Sequence, residues 1–174
     1  MAARRARGLD GLEADFERSI LRFLPAAVRR PRAPAQAIAA GWVVAFLPSI
    51  LLAAAATVLA PGLARPDFPA GGALLVFLLV VFSPLVETLV MAAALEVLRL
   101  ALPPSAALLA SALGWGIAHS LAAPAWGLVI WWPFLVFSTL YLTWRGSGRA
   151  RAVAIVFATH ALQNLPVALL LVQR

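Results

Sequence analysis

The sequence predicts an all-α membrane protein, a bundle of about five transmembrane helices preceded by an interfacial helix. Of its 174 residues, 63% are hydrophobic, which exceeds what the core of a soluble domain of this length requires. A helix needs about 20 predominantly apolar residues to cross the hydrocarbon layer. Five stretches approach or exceed that length, near residues 37–60, 70–98, 106–121, 127–144 and 152–172.

The placement of arginine predicts the domain organisation and the orientation. The chain has fourteen basic residues, all arginine, and a net charge of +7, and eight of the arginines lie in the first 32 residues. Because basic residues flank membrane helices on the cytoplasmic side, we expect residues 1–36 to form a cytoplasmic leader and residues 37–174 the membrane domain. Five crossings also place the basic loop 145–151 in the cytoplasm. Membrane lipids, and no nucleic acid, are the expected partners of these arginines.

Within the leader, the stretch "LDGLEADFERSILRFLP" has the spacing of an amphipathic helix. Asp10 and Glu13 stand three residues apart, as in a capping box, and Pro25 ends the pattern. We expect this helix to lie in the membrane interface. Its apolar face comprises Leu9, Leu12, Phe16, Ile20 and Phe23.

The interior of the second apolar stretch contains a proline and one charged residue. Pro84 has no N–H to offer the carbonyl of Val80, so it predicts a kink. Glu87 is the one formal charge between Gly71 and Leu95. A carboxylate near the bilayer centre costs roughly 2.5–3.5 kcal/mol on insertion scales, so it is by default a functional residue with a partner.

Glu87 has three candidate partners on other helices. His119, His160 and Asn164 fall at similar depth when residues are counted from the cytoplasmic ends, and the last two share a helix face because they are four residues apart. Such a set suits hydrolysis. Glu can take a proton from water, His can orient that water, and His with Asn can donate hydrogen bonds to an oxyanion.

Structural and metal-binding interpretations of the same residues stay open. Histidine and asparagine in membrane helices often serve only as hydrogen-bonding groups between helices. Glu87, His119 and His160 could instead hold a divalent metal such as zinc, with water in the fourth position; otherwise no cofactor is expected. The absence of cysteine excludes disulfides and thiolate chemistry. The tryptophans are typical of interfacial belts, namely Trp126, Trp131, Trp132 and Trp144.

Glu96 provides an internal comparison with Glu87. It follows Glu87 by nine residues, or two and a half helical turns, so it is expected on the opposite side of the helix. Arg99 is its expected partner, in a pair close to the membrane surface where ion pairs contribute little.

Three motifs in residues 71–172 carry a family resemblance. "PLVETLVMA", "WGIAHS" and "THALQN" occur in that order and resemble the motifs of the intramembrane CAAX-protease and bacteriocin-processing (CPBP, or Abi) family. The resemblance implies an intramembrane endopeptidase in a bacterial or archaeal cytoplasmic membrane. It assigns water activation to Glu87 and His119, and support of the oxyanion to His160 and Asn164. It also implies peptide or protein substrates, with prenylated chains among them.

Two positions depart from the family pattern. Thr88 stands where the family has a second glutamate, and Ala92 stands where it has an arginine. The sequence therefore leaves a second hypothesis, a catalytically inactive relative that acts as a binding or immunity partner. A metal-dependent membrane hydrolase is the third.

Overall fold

The protein is built from five long helices, as the computed structural model of residues 11–68 and 71–173 shows. The described ranges contain no β-strand, and the predicted all-α bundle is confirmed. All five helices are long and apolar enough to cross a bilayer, so the chain is an integral membrane protein. We number them α1 (Pro34–Leu59), α2 (Gly72–Leu98), α3 (Pro104–Ala122), α4 (Pro124–Arg145) and α5 (Arg149–Val172).

Helix α2 is interrupted near its middle. It is α-helical over Gly72–Phe77, forms a π-helical turn over Leu78–Phe82, and continues as an α-helix over Ser83–Leu98. A π-helical turn inserts an extra residue and is frequent at functional sites. The predicted irregularity at Pro84 therefore takes this form.

Helix α4 is the centre of the bundle. Every residue from Pro133 to Trp144 is buried, whichever way its side chain points, which is the pattern of a helix surrounded by protein. Helices α1, α3 and α5 pack around it. Most of the large aromatic core residues belong to this helix, including Phe134, Phe137 and Tyr141.

A proline inside α1 leaves one backbone carbonyl of this helix without its usual donor, and a side chain of α4 replaces that donor. Pro48 cannot donate to the carbonyl of Val44, and the indole N–H of Trp132 on α4 donates to that carbonyl at 2.8 Å. A backbone oxygen without a donor is costly in hydrocarbon. Trp132 therefore serves the packing of α1 on α4 rather than only the interfacial belt that the sequence predicts.

From residue 11 onward the leader is folded, but not as one continuous helix. Residues 11–18 are helical, a 3₁₀ turn covers Ile20–Phe23, and a short helix covers Ala26–Arg29. Ser19 separates the first two, and its hydroxyl accepts a hydrogen bond from the N–H of Leu21 at 3.2 Å. The sequence contained this signal, because serine is a preferred residue at the start of a helical turn.

The break changes which side chains are buried. Leu12 and Phe16 are buried as the helical spacing predicts, whereas Ile20 and Phe23 are 71% and 53% exposed. The prediction of one apolar face is therefore wrong beyond Ser19, because the 3₁₀ turn rotates the following residues. Leu9 and Asp10 lie outside the described residues.

The leader closes one end of the bundle through its acidic side chains. The Asp15 carboxylate accepts a hydrogen bond from the backbone N–H of Ser105 at 2.6 Å and so caps the start of α3. Arg29 and Arg30 both pair with Glu13. The hydrogen bond from Arg30 is the main cause that holds the pKa of Glu13 below its ordinary value.

The backbones of α3 and α4 lie so close together at Gly127 that no side chain would fit there. A Cβ atom added at Gly127 would lie 1.8 Å from the hydroxyl of Ser120 and 2.3 Å from the carbonyl oxygen of Gly116. Small residues of this kind let membrane helices pack backbone against backbone. Gly114, two residues before Gly116, has open space at the same position.

We expect Gly127→Ala to destabilise the bundle by about 1–3 kcal/mol or more, because the added methyl group overpacks the contact. Gly114→Ala is the matched control on α3, and it should cost nothing, since alanine has the better helix propensity. Thermal unfolding of both variants in lipid nanodiscs measures the difference. Equal melting temperatures for the two variants would contradict the close approach.

Candidate active site

A cavity of about 500 Å³ lies among the five helices, a volume typical of ligand-binding pockets. Its walls are largely apolar side chains of α1, α4 and α5. At the end opposite the leader, Arg65 in the α1–α2 connection lines it. The polar residues that α2, α3 and α5 contribute to its wall are Ser83, Glu87, His119, His160, Gln163 and Asn164.

All four site residues that the sequence predicts line this cavity. Glu87 comes from α2, His119 from α3, and His160 and Asn164 from one face of α5. The structure thus brings the three motifs together. Their chemical roles stay predictions.

Glu87 has two neighbours that determine its position. The hydroxyl of Ser83, one turn earlier on α2, donates to the carboxylate oxygen Oε1. The other oxygen, Oε2, lies 3.7 Å from Nε2 of His160. The Glu87 side chain is 19% exposed within this cavity, so a small molecule can reach it. At 3.7 Å, Oε2 and Nε2 lie just beyond hydrogen-bond distance.

The two imidazoles pack on the same aromatic ring. The centroid of Phe134 lies 5.8 Å from that of His119 and 5.4 Å from that of His160. Trp115 stacks on the same phenyl ring at 4.3 Å. Phe134 therefore sets the separation between the two histidines.

His119 has a defined proton position. Its Nδ1 lies 2.9 Å from the carbonyl oxygen of Trp115, and because a carbonyl only accepts, Nδ1 must carry the proton. In the neutral ring, Nε2 is then an acceptor. The edge of Trp126 meets this ring, with centroids 4.6 Å apart.

His160 is almost completely buried, at 4% exposure. Its Nδ1 is buried and has no hydrogen-bond partner within the described part of the chain. Phe137 covers one face of the ring, with centroids 4.6 Å apart. A buried polar atom without a partner is unusual in a folded protein and indicates an unfilled interaction.

Asn164 is engaged by the backbone of α2. Its Nδ2 donates to the carbonyl oxygen of Leu79 at 2.9 Å. In the π-helical turn the N–H of Ser83 donates five residues back, to Leu78, so the next donor would be Pro84, which has none. In a regular α-helix the carbonyl without a donor would be that of Val80, as the sequence predicts. The π register moves the released carbonyl to Leu79.

Glu96 does not pair with Arg99 as predicted. Its carboxylate accepts from the side chains of Arg145 at 2.9 Å and Arg149 at 3.1 Å, and from the Tyr141 hydroxyl at 2.9 Å. Arg149 and the Glu87 neighbour His160 both belong to α5, and Arg145 and Tyr141 belong to α4. Both arginines come from other helices, so helical spacing within α2 cannot indicate them as partners. Neither Glu96 nor its three partners line the cavity.

Sequence reasoning missed several residues of the site. Ser83 could have been found, because it stands four residues before Glu87 on the same helix face. Trp126 was expected in an interfacial belt but contacts His119, and Trp144, expected there too, is only 2% exposed. For Phe134 no sequence signal distinguishes it from other core aromatics.

The metal-site hypothesis gains no support from the side-chain arrangement. Across residues 11–68 and 71–173, no group of three or more histidine, aspartate or glutamate side chains could share a metal ion.

Comparison of the chain with protein-family models, with curated proteins and with solved structures gives no match.

We expect Asn164→Leu to lower the stability by about 1–3 kcal/mol, because it leaves the Leu79 carbonyl unpaired in the membrane. Pro84→Ala supplies the missing backbone donor. In a Pro84→Ala background the same Asn164 substitution should therefore cost much less. Thermal unfolding of the wild type, both single variants and the double variant measures the coupling. The same loss in both backgrounds would refute this account of Asn164.

Proposed function

We propose that the protein is a glutamate-dependent intramembrane endopeptidase of the CAAX-protease kind. The observation that carries the proposal is the carboxylate of Glu87 at 3.7 Å from the His160 imidazole, inside a cavity that three ordered sequence motifs line. Carboxylates are costly in membrane helices and mark functional sites there. A carboxylate beside an imidazole is a general-base arrangement.

In the proposed reaction Glu87 takes a proton from a water molecule, and the water oxygen attacks the carbonyl carbon of a peptide bond. Nε2 of His119 accepts the other hydrogen bond of that water and orients it, because Nδ1 of this ring is bonded to Trp115. The tetrahedral intermediate then collapses. The C–N bond breaks, and the proton on Glu87 passes to the leaving amine.

Two groups on α5 supply donors for the oxyanion. Nε2 of His160, 3.7 Å from the Glu87 carboxylate, can carry the one proton of the neutral ring, and one N–H of the Asn164 amide remains after the other donates to Leu79. Preorganised donors of this kind are worth about 10²–10³-fold in rate. His160 thereby contacts both the base and the developing negative charge, which extends the role that the family resemblance gives it.

The substrate in this proposal is an apolar peptide or a protein segment within the bilayer, prenylated chains included. The walls of the cavity are largely apolar, and it extends toward the end opposite the leader. We further propose that the leader and the 145–151 loop face the cytoplasm of a bacterial or archaeal cell, on the arginine bias.

A second candidate function is an inactive relative that binds a partner in the membrane. Thr88 and Ala92 are buried at 0% and 6% exposure, where the family has its paired charges. The bond from Asn164 to Leu79 also gives this asparagine a purely structural use. Detection of any turnover separates the two functions.

We expect Glu87→Gln to lower the cleavage rate about 10²- to 10⁴-fold, because it removes the base but keeps an acceptor for Ser83. Cleavage of internally quenched apolar peptides by protein in liposomes measures the rate. Glu96→Gln is the matched control on the same helix. It should stay within about threefold of the wild type, since partly exposed ion pairs contribute little and Glu96 lies outside the cavity. Cleavage at the parental rate by both variants would show that Glu87 is not the base and would refute the proposed mechanism.

The orientation is testable because the chain has no cysteine of its own. Ala150 is exposed in the basic loop, and Gly62 is exposed at the opposite end of the bundle. In intact cells a membrane-impermeant maleimide should label Gly62→Cys, and it should label Ala150→Cys only after permeabilisation. The reverse pattern would overturn the proposed orientation.

A further inference from the structure

The cavity has one charged side chain near each end. Glu87 lies on α2 in the middle of the bundle, and Arg65 lies in the α1–α2 connection, at the end opposite the leader. Among the described residues that line the cavity, these two are the only ones with a formal charge. A ligand in the cavity therefore meets an anion at one end and a cation at the other.

The guanidinium of Arg65 is available to a ligand. The Arg65 side chain is exposed, and none of the ion pairs within residues 11–68 and 71–173 includes it. The acidic residue next to it in the chain, Asp67, is exposed as well and does not line the cavity. Arg65 thus faces the cavity without an acidic partner from the described part of the fold.

The backbone on both sides of Arg65 is fixed to the start of α4. The carbonyl oxygen of Ala64 accepts from the N–H of Ala125 at 3.2 Å. The ring of Phe68 packs edge to face with that of Trp126, with centroids 5.6 Å apart. Trp126 also contacts His119, so the segment that carries Arg65 is held by the same side chain that packs on the candidate site.

The length of the cavity sets the distance between its two charged ends. On α5 it is lined from His160 to Leu171, and on α1 from Phe46 to Thr57. Each interval is eleven residues, or about 16 Å of helix. An extended peptide covers that length with about five residues, at roughly 3.3 Å each.

We infer that Arg65 binds a carboxylate of the peptide substrate, about five residues from the bond that is cut. A guanidinium recognises a carboxylate through two parallel N–H···O bonds. The inference rests on the proposed function and narrows its substrate class to apolar peptides with an acidic side chain or a free carboxyl terminus on one side of that bond. In the reverse direction the carboxylate would meet the like charge of Glu87, so the two charged ends also orient the chain.

The test measures peptide binding to the full-length protein in phosphatidylcholine nanodiscs, which contain no anionic lipid to compete for Arg65. The probes are variants of acetyl-Leu-Ala-Leu-Ala-Leu-Ala-amide, in which one residue at a time is replaced by Glu or by the uncharged Gln. Empty nanodiscs correct for partition into lipid, and mass spectrometry at low temperature verifies that each probe is intact. At one position near an end of the peptide, we expect Glu to bind about 3- to 10-fold more tightly than Gln.

Arg65→Gln should abolish this preference, and Arg65→Glu should reverse it in favour of a Lys peptide. Asp67→Asn is the matched control, since Asp67 is a charged, exposed residue of the same connection outside the cavity. It should keep the preference for Glu. All three variants should melt like the wild type, because neither residue forms an ion pair within the described fold.

The inference is overturned if no peptide of the series binds, if Glu and Gln peptides bind equally at every position, or if the preference persists in Arg65→Gln. It also fails if Arg65→Gln changes only the amount of phosphatidylglycerol that copurifies from cells, since a lipid phosphate would then be the ligand. If the preference depends on Arg65 but no peptide is cleaved, the inference stands and the proposed protease activity fails. Cleavage without any charge preference would give the opposite result.

Discussion

The hydrogen bond from Asn164 to the Leu79 carbonyl connects the backbone of α2 to α5, and the arrangement of the candidate site depends on it. Hydrocarbon offers no water to a released carbonyl, so another helix must provide the donor. Pro84, two residues after the π-helical turn ends at Phe82, releases that carbonyl, and Glu87 follows within one turn. The rotation of α2 that positions Glu87 toward α5 is therefore coupled to the hydrogen bond that gives the Leu79 carbonyl its donor. Trp132 and the Val44 carbonyl repeat the same solution at Pro48.

This coupling explains how a membrane protein can hold polar groups at a site without sacrificing its fold. Glu87 is supported by Ser83 and lies beside His160, so part of the cost of burying a carboxylate is offset locally. Asn164 has two N–H groups and can support the backbone with one while presenting the other to the cavity. His160 and Gln163 keep atoms unpaired, and the surrounding aromatic packing of α4 holds them in position.

Helical spacing in the sequence was sufficient to predict the five helices and the residues that share a face of α5. It could not predict the π register, because a single extra residue in α2 leaves no trace in composition. It also failed for Glu96, whose partners Arg145 and Arg149 come from other helices. Spacing within one helix says which residues point together, whereas the rotation of one helix against the next depends on contacts such as those of Phe134. The helix of the leader ends at Ser19, whose hydroxyl begins the next turn. This signal was present in the sequence, but the helical spacing of the apolar residues was given more weight.

The cap that Asp15 places on α3 joins residues 90 positions apart in the chain. In a nascent chain the leader is synthesised long before α3. The Asp15 carboxylate can therefore cap α3 only if the leader and the start of α3 lie on the same side of the bilayer. A chain inserted with α3 inverted would leave Asp15 and the backbone amide of Ser105 on opposite sides of the bilayer. The ion pair of Glu13 with Arg29 lies within the leader, so it could not bring the two groups together. The hydrogen bond between Asp15 and Ser105 thus stabilises the correctly oriented chain late in insertion. A misoriented intermediate cannot form it.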